Sequence, residues 1–181
     1  MPLGISPLFI AALFQVVPFP RGVAIRPNVA DRGPLADTLV TGARQPAFSN
    51  DGRLAVSIRG DIWIIPVLGS WQRVTAGGAS DREPAWSADG SYIVFSSDRS
   101  GKLDLWRVGL GANAQPQQLT TSDQPDAQPT IAPDGSIIFT RGRGAGAQLW
   151  RRASDGAESR VTGFAVTERS PVIAPDGSRI A

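Results

Sequence analysis

The sequence predicts an all-β chain: a β-propeller of four-stranded antiparallel blades, incomplete, with three blades plus the start of a fourth. Three observations predict it. One phrase, a proline and a few small or aromatic residues followed by Asp-Gly, occurs four times: PAFSNDG at 46–52, PAWSADG at 84–90, PTIAPDG at 129–135 and PVIAPDG at 171–177. The prolines stand 38, 45 and 42 residues apart, the period of propeller blades. After the first three phrases come three further short segments with strand patterning, which makes four strands per unit.

The strands of a blade are named A to D from the hub outward. Strand A carries the proline, which is allowed at a strand start because that position need not donate to the ladder. Asp-Gly supplies the positive φ angles of a tight hairpin turn. Strand B is the alternating apolar segment that follows: LAVSI at 54–58, YIVF at 92–95 and IIF at 137–139. Strand C is marked by tryptophan: DIWIIPV at 61–67, DLWRVGL at 104–110 and QLWRRAS at 148–154. Trp63, Trp106 and Trp150 are the largest apolar groups available to fill the wedge between blades, with Trp86 of strand A as a further packing group. Strand D ends in Val-Thr or Leu-Thr: WQRVT at 71–75, PQQLT at 116–120 and ESRVT at 158–162. From Val74, Leu119 and Val161 to the next repeat's proline is ten residues each time. Length variation therefore falls in the B–C and C–D hairpins, where loops tolerate it.

The blades are expected over 45–75, 83–120 and 128–162, with a partial blade at 170–181. Residues 35–41 read as a lone closing strand. Three blades, a strand and a cut-off fourth do not close a ring, so the expectation is the front part of a longer protein, with C-terminal blades or a catalytic domain to follow. Residues 1–34 form an N-terminal apolar segment and linker. The run LFIAALFQVV at 8–17 is too short to span a bilayer, so no stable membrane span is expected. It has the length of a signal-peptide core, although no Lys or Arg precedes it and no clear A-x-A site follows. An ordinary buried strand or helix is the alternative. On the first reading the chain is periplasmic or secreted; on the second it is cytoplasmic.

Composition excludes several functions. With no histidine and no cysteine, the chain lacks the parts for Ser-His-Asp or Cys-His catalysis, for thiol chemistry and for His-based metal sites. No catalytic residue, no metal site and no cofactor are expected. The 18 basic side chains, all arginine except Lys102, face 16 acidic ones and are spread along the chain, which argues against nucleic acid as a partner. RGRGAG at 141–146 lacks the lysine and following helix of a phosphate loop, and reads as a hairpin loop. RGD at 59–61 reads as a tight B–C turn. Asp98 and Asp104 lack the dense acidic loop of a Ca²⁺ site.

The segment PAWSADGSYIVFSSDRSGKLDLWRV at 84–108 resembles the repeat of TolB-type, WD-like propellers, whose pattern runs P-x-W-S-P-D-G, apolar strand, S-x-R-x-G, then D-L-W. The third and fourth copies depart from it at Ile131-Ala132 and Ile173-Ala174, and the first has Asn50 in place of proline. The resemblance covers 38–181. It implies a propeller, found in the family both as a binding module and as a domain attached to metal-dependent amidohydrolases or prolyl-oligopeptidase-like serine peptidases. Fewer than 40 residues precede the blades, whereas TolB carries a sizeable α/β domain there; this favours the hydrolase-linked form over TolB itself.

Propeller geometry places the D–A and B–C loops on one face and the Asp-Gly turns on the other. On the first face the position three before each proline is acidic in three of four repeats: Asp81, Asp126 and Glu168, with Ala43 as the exception. The B–C loops there carry Arg59, Arg99, Arg141 and Arg143. The expectation is an acidic ring at the channel mouth with an arginine surround, able to orient a protein or peptide ligand; solvated charges and local ion pairs are the plainer alternative. The function expected is a non-catalytic scaffold or binding module for protein or peptide. The alternative is a substrate-gating propeller of a larger hydrolase.

Overall fold

The computed structural model describes residues 43–163 and 167–181. The apolar run at 8–17 and the expected closing strand at 35–41 lie outside the described residues. Twelve strands form three four-stranded antiparallel sheets, each in simple meander order. The first blade is β1 (Ala43–Phe48), β2 (Leu54–Ile58), β3 (Asp61–Ile65) and β4 (Gln72–Arg73). The second is β5 (Asp81–Trp86), β6 (Tyr92–Ser97), β7 (Asp104–Gly109) and β8 (Gln117–Gln118). The third is β9 (Asp126–Ile131), β10 (Ile137–Arg141), β11 (Gln148–Arg152) and β12 (Glu158–Arg160). The fourth copy begins a hairpin, with an antiparallel bridge between Ile173 and Ile180. The all-β blade architecture expected from the repeat is therefore present.

Each Asp-Gly turn is a four-residue turn in which only the glycine is left-handed, rather than a pair of positive φ angles. Gly52, Gly90, Gly135 and Gly177 have φ of 86°, 67°, 80° and 73°. In the first copy Gly52 N–H donates to Ser49 O at 3.0 Å and Ser49 N–H to Arg53 O at 2.9 Å. The aspartate caps the turn: Asp134 and Asp176 each accept the N–H two residues on at 2.9 Å. These hydrogen bonds to the charged form hold the turn carboxyls below their ordinary range. For Asp89 the bonds from Ser87 and then Ser91 bring the pKa to about 2.

The blades pack through apolar flanks. Ala55, Ile62 and Ile64 of blade one meet Trp86, Ile93, Phe95 and Val108 of blade two. Val94 and Leu105 on the other flank meet Ile137 and Phe139 of blade three. Residues 93–95 thus alternate between two neighbours, as period two requires. The most enclosed aromatics are Phe95 and Phe139 on strand B, while Trp106 and Trp150 are half-buried against the same clusters. Trp86 is buried and donates its indole N–H to Ala47 O of blade one at 2.9 Å. Buried Phe side chains of this kind contribute roughly 3–5 kcal/mol relative to alanine.

Strand A has one irregularity, repeated. The register slips between Arg44 and Ala47, between Arg82 and Ala85, and between the partners of Ile138 and Thr140. At each slip, and again in the fourth copy, the residue before the proline is left-handed: Gln45, Glu83, Gln128 and Ser170 have φ of 54°, 56°, 56° and 53°. A β-bulge recurring in three blades is a built feature.

Candidate functional site

Three consecutive positions of strand A organise the face that carries the D–A and B–C loops. Three residues before the proline stands the predicted acid. Its backbone N–H donates to the preceding blade's B–C loop: Asp81 to Gly60 O at 2.7 Å, Asp126 to Leu103 O at 2.8 Å, Glu168 to Ala147 O at 3.1 Å. Its side chain turns into the blade. Asp81, 2% exposed, accepts Arg99 on both carboxylate oxygens at 2.7 Å. Asp126 is fully buried and accepts Arg141 at 2.7 and 2.8 Å. Glu168 accepts the Thr162 hydroxyl and, at 3.3 Å, Leu149 N–H.

The arginines are held from the other side by rings. Arg99 lies 4.9 Å from the Trp106 ring centroid and 5.4 Å from Phe95. Arg141 lies 4.5 Å from Trp150 and 5.1 Å from Phe139. Guanidinium stacking with a bidentate carboxylate is a favourable, rigid arrangement. Burial works against the Arg141 charge, but its hydrogen bonds to Asp126 and Glu158 outweigh this and hold its pKa above the ordinary value. The structure therefore joins Asp81 to Arg99 and Asp126 to Arg141, each pair within its own blade. It leaves Arg143 exposed, just before the 3₁₀ turn Gly144–Gly146. Arg59 sits in the left-handed B–C turn of blade one, with φ of 52°.

The residue before each proline, which sequence reasoning missed, builds the hub. Glu83 N–H donates to Gln45 Oε1 at 3.1 Å. Gln128 N–H donates to Glu83 Oε2 at 2.8 Å. Ser170 N–H donates to Gln128 Oε1 at 2.9 Å. Each side chain thus accepts the bulged N–H of the next blade. Ser96 and Thr140 of the strand B partners donate hydroxyls into the same chain, at 2.8 and 3.0 Å. The signal available in the sequence was Gln, Glu, Gln, Ser immediately before four repeat prolines.

Two openings flank this hub. On the loop face a cavity of about 490 Å³ is bounded by Gly77, Gly78, Asp98, Arg99 and Gly101. Asp98 accepts Ser80 N–H there at 2.8 Å. On the turn face all four repeats meet at a depression of about 170 Å³, lined by Phe48, Trp86, Ile131, Pro133, Ile173 and Pro175 among others. The RGRGAG loop turns directly into β11. Among the described residues no helix is long and apolar enough to cross a membrane.

A family model described as the TolB beta propeller domain matches residues 38–181. The Tol-Pal system protein TolB of Rhizorhabdus wittichii is 37% identical over 59 residues, covering 31% of this chain and 13% of that protein. Two solved structures show the same fold. TolB from Acinetobacter baumannii aligns with a TM-score of 0.61 and 23% identity, over 75% of this chain and 36% of the other. A puromycin-hydrolyzing peptidase of Mycobacterium tuberculosis aligns with a TM-score of 0.57 and 19% identity, over 66% of this chain and 22% of the other. The chain spans 13% to 41% of the length of the curated relatives it matches.

Proposed function

The chain belongs to the TolB beta propeller domain family, and from that premise we propose that it is a non-catalytic binding platform for a protein or peptide, working in the cell envelope. The observation that carries this reading is the hub. Rigid, cross-linked blades hold several loops around one mouth, the arrangement by which a scaffold presents adaptable contacts. With no histidine or cysteine in its 181 residues, the chain supplies surfaces rather than the usual nucleophiles and bases. The envelope location is supported by the similarity to a Tol-Pal system protein and by the apolar run at 8–17.

On this reading Asp81, Asp126 and Glu168, with Arg99 and Arg141, serve the site by fixing the loops that approach a ligand, while Arg59 and Arg143 lie in those loops. Selection of short displayed peptides against the 181-residue chain tests the proposal. Recovered peptides should bind at the loop face, and neutralising Asp81, Asp126 and Glu168 together should weaken them. A selection that yields no binder refutes the platform; binding indifferent to the triple neutralisation removes those acids from it.

The fold likeness to the puromycin-hydrolyzing peptidase favours one second reading, a propeller that gates substrate for a hydrolase. Chemistry would then be carried by residues outside these 181. A G-x-S-x-G elbow, or an H-x-H strand motif, encoded past Ala181 would support it.

A further inference from the structure

Between the buried acid and the bulge lies the position two before each proline: Arg44, Arg82, Ala127 and Arg169. Three of four copies carry arginine there. The hub relay fixes where these residues stand. Since each bulged N–H is hydrogen-bonded to the previous blade's bulge side chain, the residues immediately before the bulges are also neighbours around the channel. Arg44 pairs across the ladder with Ser57, and Arg82 with Ser96. Ser57 donates to Asp81 O of blade two at 2.6 Å, and Ser96 receives Gln128 N–H of blade three at 3.2 Å. Cross-strand partners share a face, so Arg44 and Arg82 stand on the hub side turned towards the next blade, and Arg169 occupies the same repeat position in the fourth copy.

These arginines differ from Arg99 and Arg141 in what they touch. Arg44 and Arg169 are exposed, and their side chains make no hydrogen bond or ion pair among the described residues. Arg82 is half-buried, and its Nε is buried without a partner among them. A buried cationic N–H left unpaired calls for an acceptor. Nearby acids do not supply it. Asp81 and Asp126 are taken by Arg99 and Arg141. Glu83, at the same level, is engaged by Ser96, by Gln128 N–H and, at 3.4 Å, by Gln45. Two of the acids at this level, Asp81 and Asp126, are thus paired inside their blades, while Arg44 and Arg169 stand exposed.

We propose that Arg44, Arg82 and Arg169 form a rim that receives an acidic peptide segment of a protein partner. This rests on the platform reading above and names the chemistry of its ligand. A peptide fits better than a compact anion because the three charges are distributed over blades one, two and four, with Ala127 between the last two, so that an extended chain with several carboxylates can meet them together.

The test uses the 181-residue chain and a fluorescein-labelled decaglutamate peptide, read by anisotropy at low salt. Binding is expected, to weaken as salt rises. Replacing Arg44, Arg82 and Arg169 by alanine should weaken it about tenfold, the product of three weak ion pairs. A control with equal charge loss, Arg107→Ala with Arg151→Ala and Arg179→Ala, should bind as the parent does. If circular dichroism shows the rim variant unfolded, the double variant at the exposed Arg44 and Arg169 decides, with an expected loss of severalfold. Equal loss in the control, no loss in the rim variant, comparable binding of decalysine, or complete displacement by millimolar inorganic phosphate each overturns the proposal. Peptides selected without acidic enrichment would sink the rim and leave the platform standing; failure to select any peptide would sink the platform.

Discussion

Asp126→Asn is the sharpest test of what holds the loop face. The carboxylate is fully buried and receives both Nε and Nη2 of Arg141, which is itself only 11% exposed at its side chain. Removing one charge of a buried pair costs about 3–5 kcal/mol, because the partner is left uncompensated. Two features reduce that here. Arg141 keeps a 2.7 Å bond to the more exposed Glu158 and its stacking on Trp150 and Phe139. Asparagine also keeps one oxygen as an acceptor. A loss of roughly 2–3 kcal/mol is therefore expected. Deprotonation offers no escape, since a guanidinium keeps its proton in proteins. Urea unfolding followed by tryptophan fluorescence should show a midpoint lower by about 1 M with an unchanged slope. The double variant Asp126→Leu with Arg141→Met should recover most of the loss, because an apolar pair of similar volume replaces both charges. A single variant within about 0.5 kcal/mol of the parent, a surface-like value, would refute the reasoning.

Other expectations follow from the turns and the bulges. Gly90→Ala places a Cβ 2.5 Å from Arg53 Nη2 at a φ of 67°, so it must displace the arginine from Gly90 O and from the Trp86 face; it should cost more than Gly135→Ala, where nothing lies within 4 Å and only the left-handed backbone penalty of about 1 kcal/mol applies. Thermal melts of the two variants compare them directly. Ser170→Gly relieves a φ of 53° and should be neutral or stabilising by up to about 1 kcal/mol, whereas Glu83→Gly relieves a similar φ but deletes the acceptor of Gln128 N–H and should destabilise by about 1–3 kcal/mol. Equal behaviour of the two would show that the relay carries no energy. For Asp89, held at about 2 against an unfolded value near 3.9, the turn's contribution is complete above about pH 4 and lost as pH falls towards 2. A carboxyl-carbon NMR titration with a midpoint near 4 would contradict the turn geometry.

The blade was readable because its signals are local. Proline, Asp-Gly and the tryptophan of strand C each report a backbone requirement within a few residues, and their period reports the stacking. The acid three before the proline was also readable as a repeated position. What was not readable was its direction. Asp81 and Asp126 were expected around the channel mouth, yet the bulge that follows them turns their side chains into the blade, where Arg99 and Arg141 stack on Trp106 and Trp150. The bulges lie between strands A and B of one hairpin, but Gln45, Glu83, Gln128 and Ser170 share no residue type that would announce one. Their relay, in which three of them give a backbone N–H and three offer a side-chain oxygen, exists only once the blades stand side by side.

That hub relay has a polarity. Every link runs from the backbone of the later blade to the side chain of the earlier one, so a blade's inward surface is a socket on one side and a plug on the other. Duplicated units inherit both ends together. A copied blade can therefore join its parent in the same orientation without any new contact having to arise, provided the residue before its proline reaches one oxygen across the gap. Glutamine and glutamate reach. Serine, the residue at position 170, is shorter, and Ser170→Gln would give the fourth copy the side-chain oxygen that the other three offer.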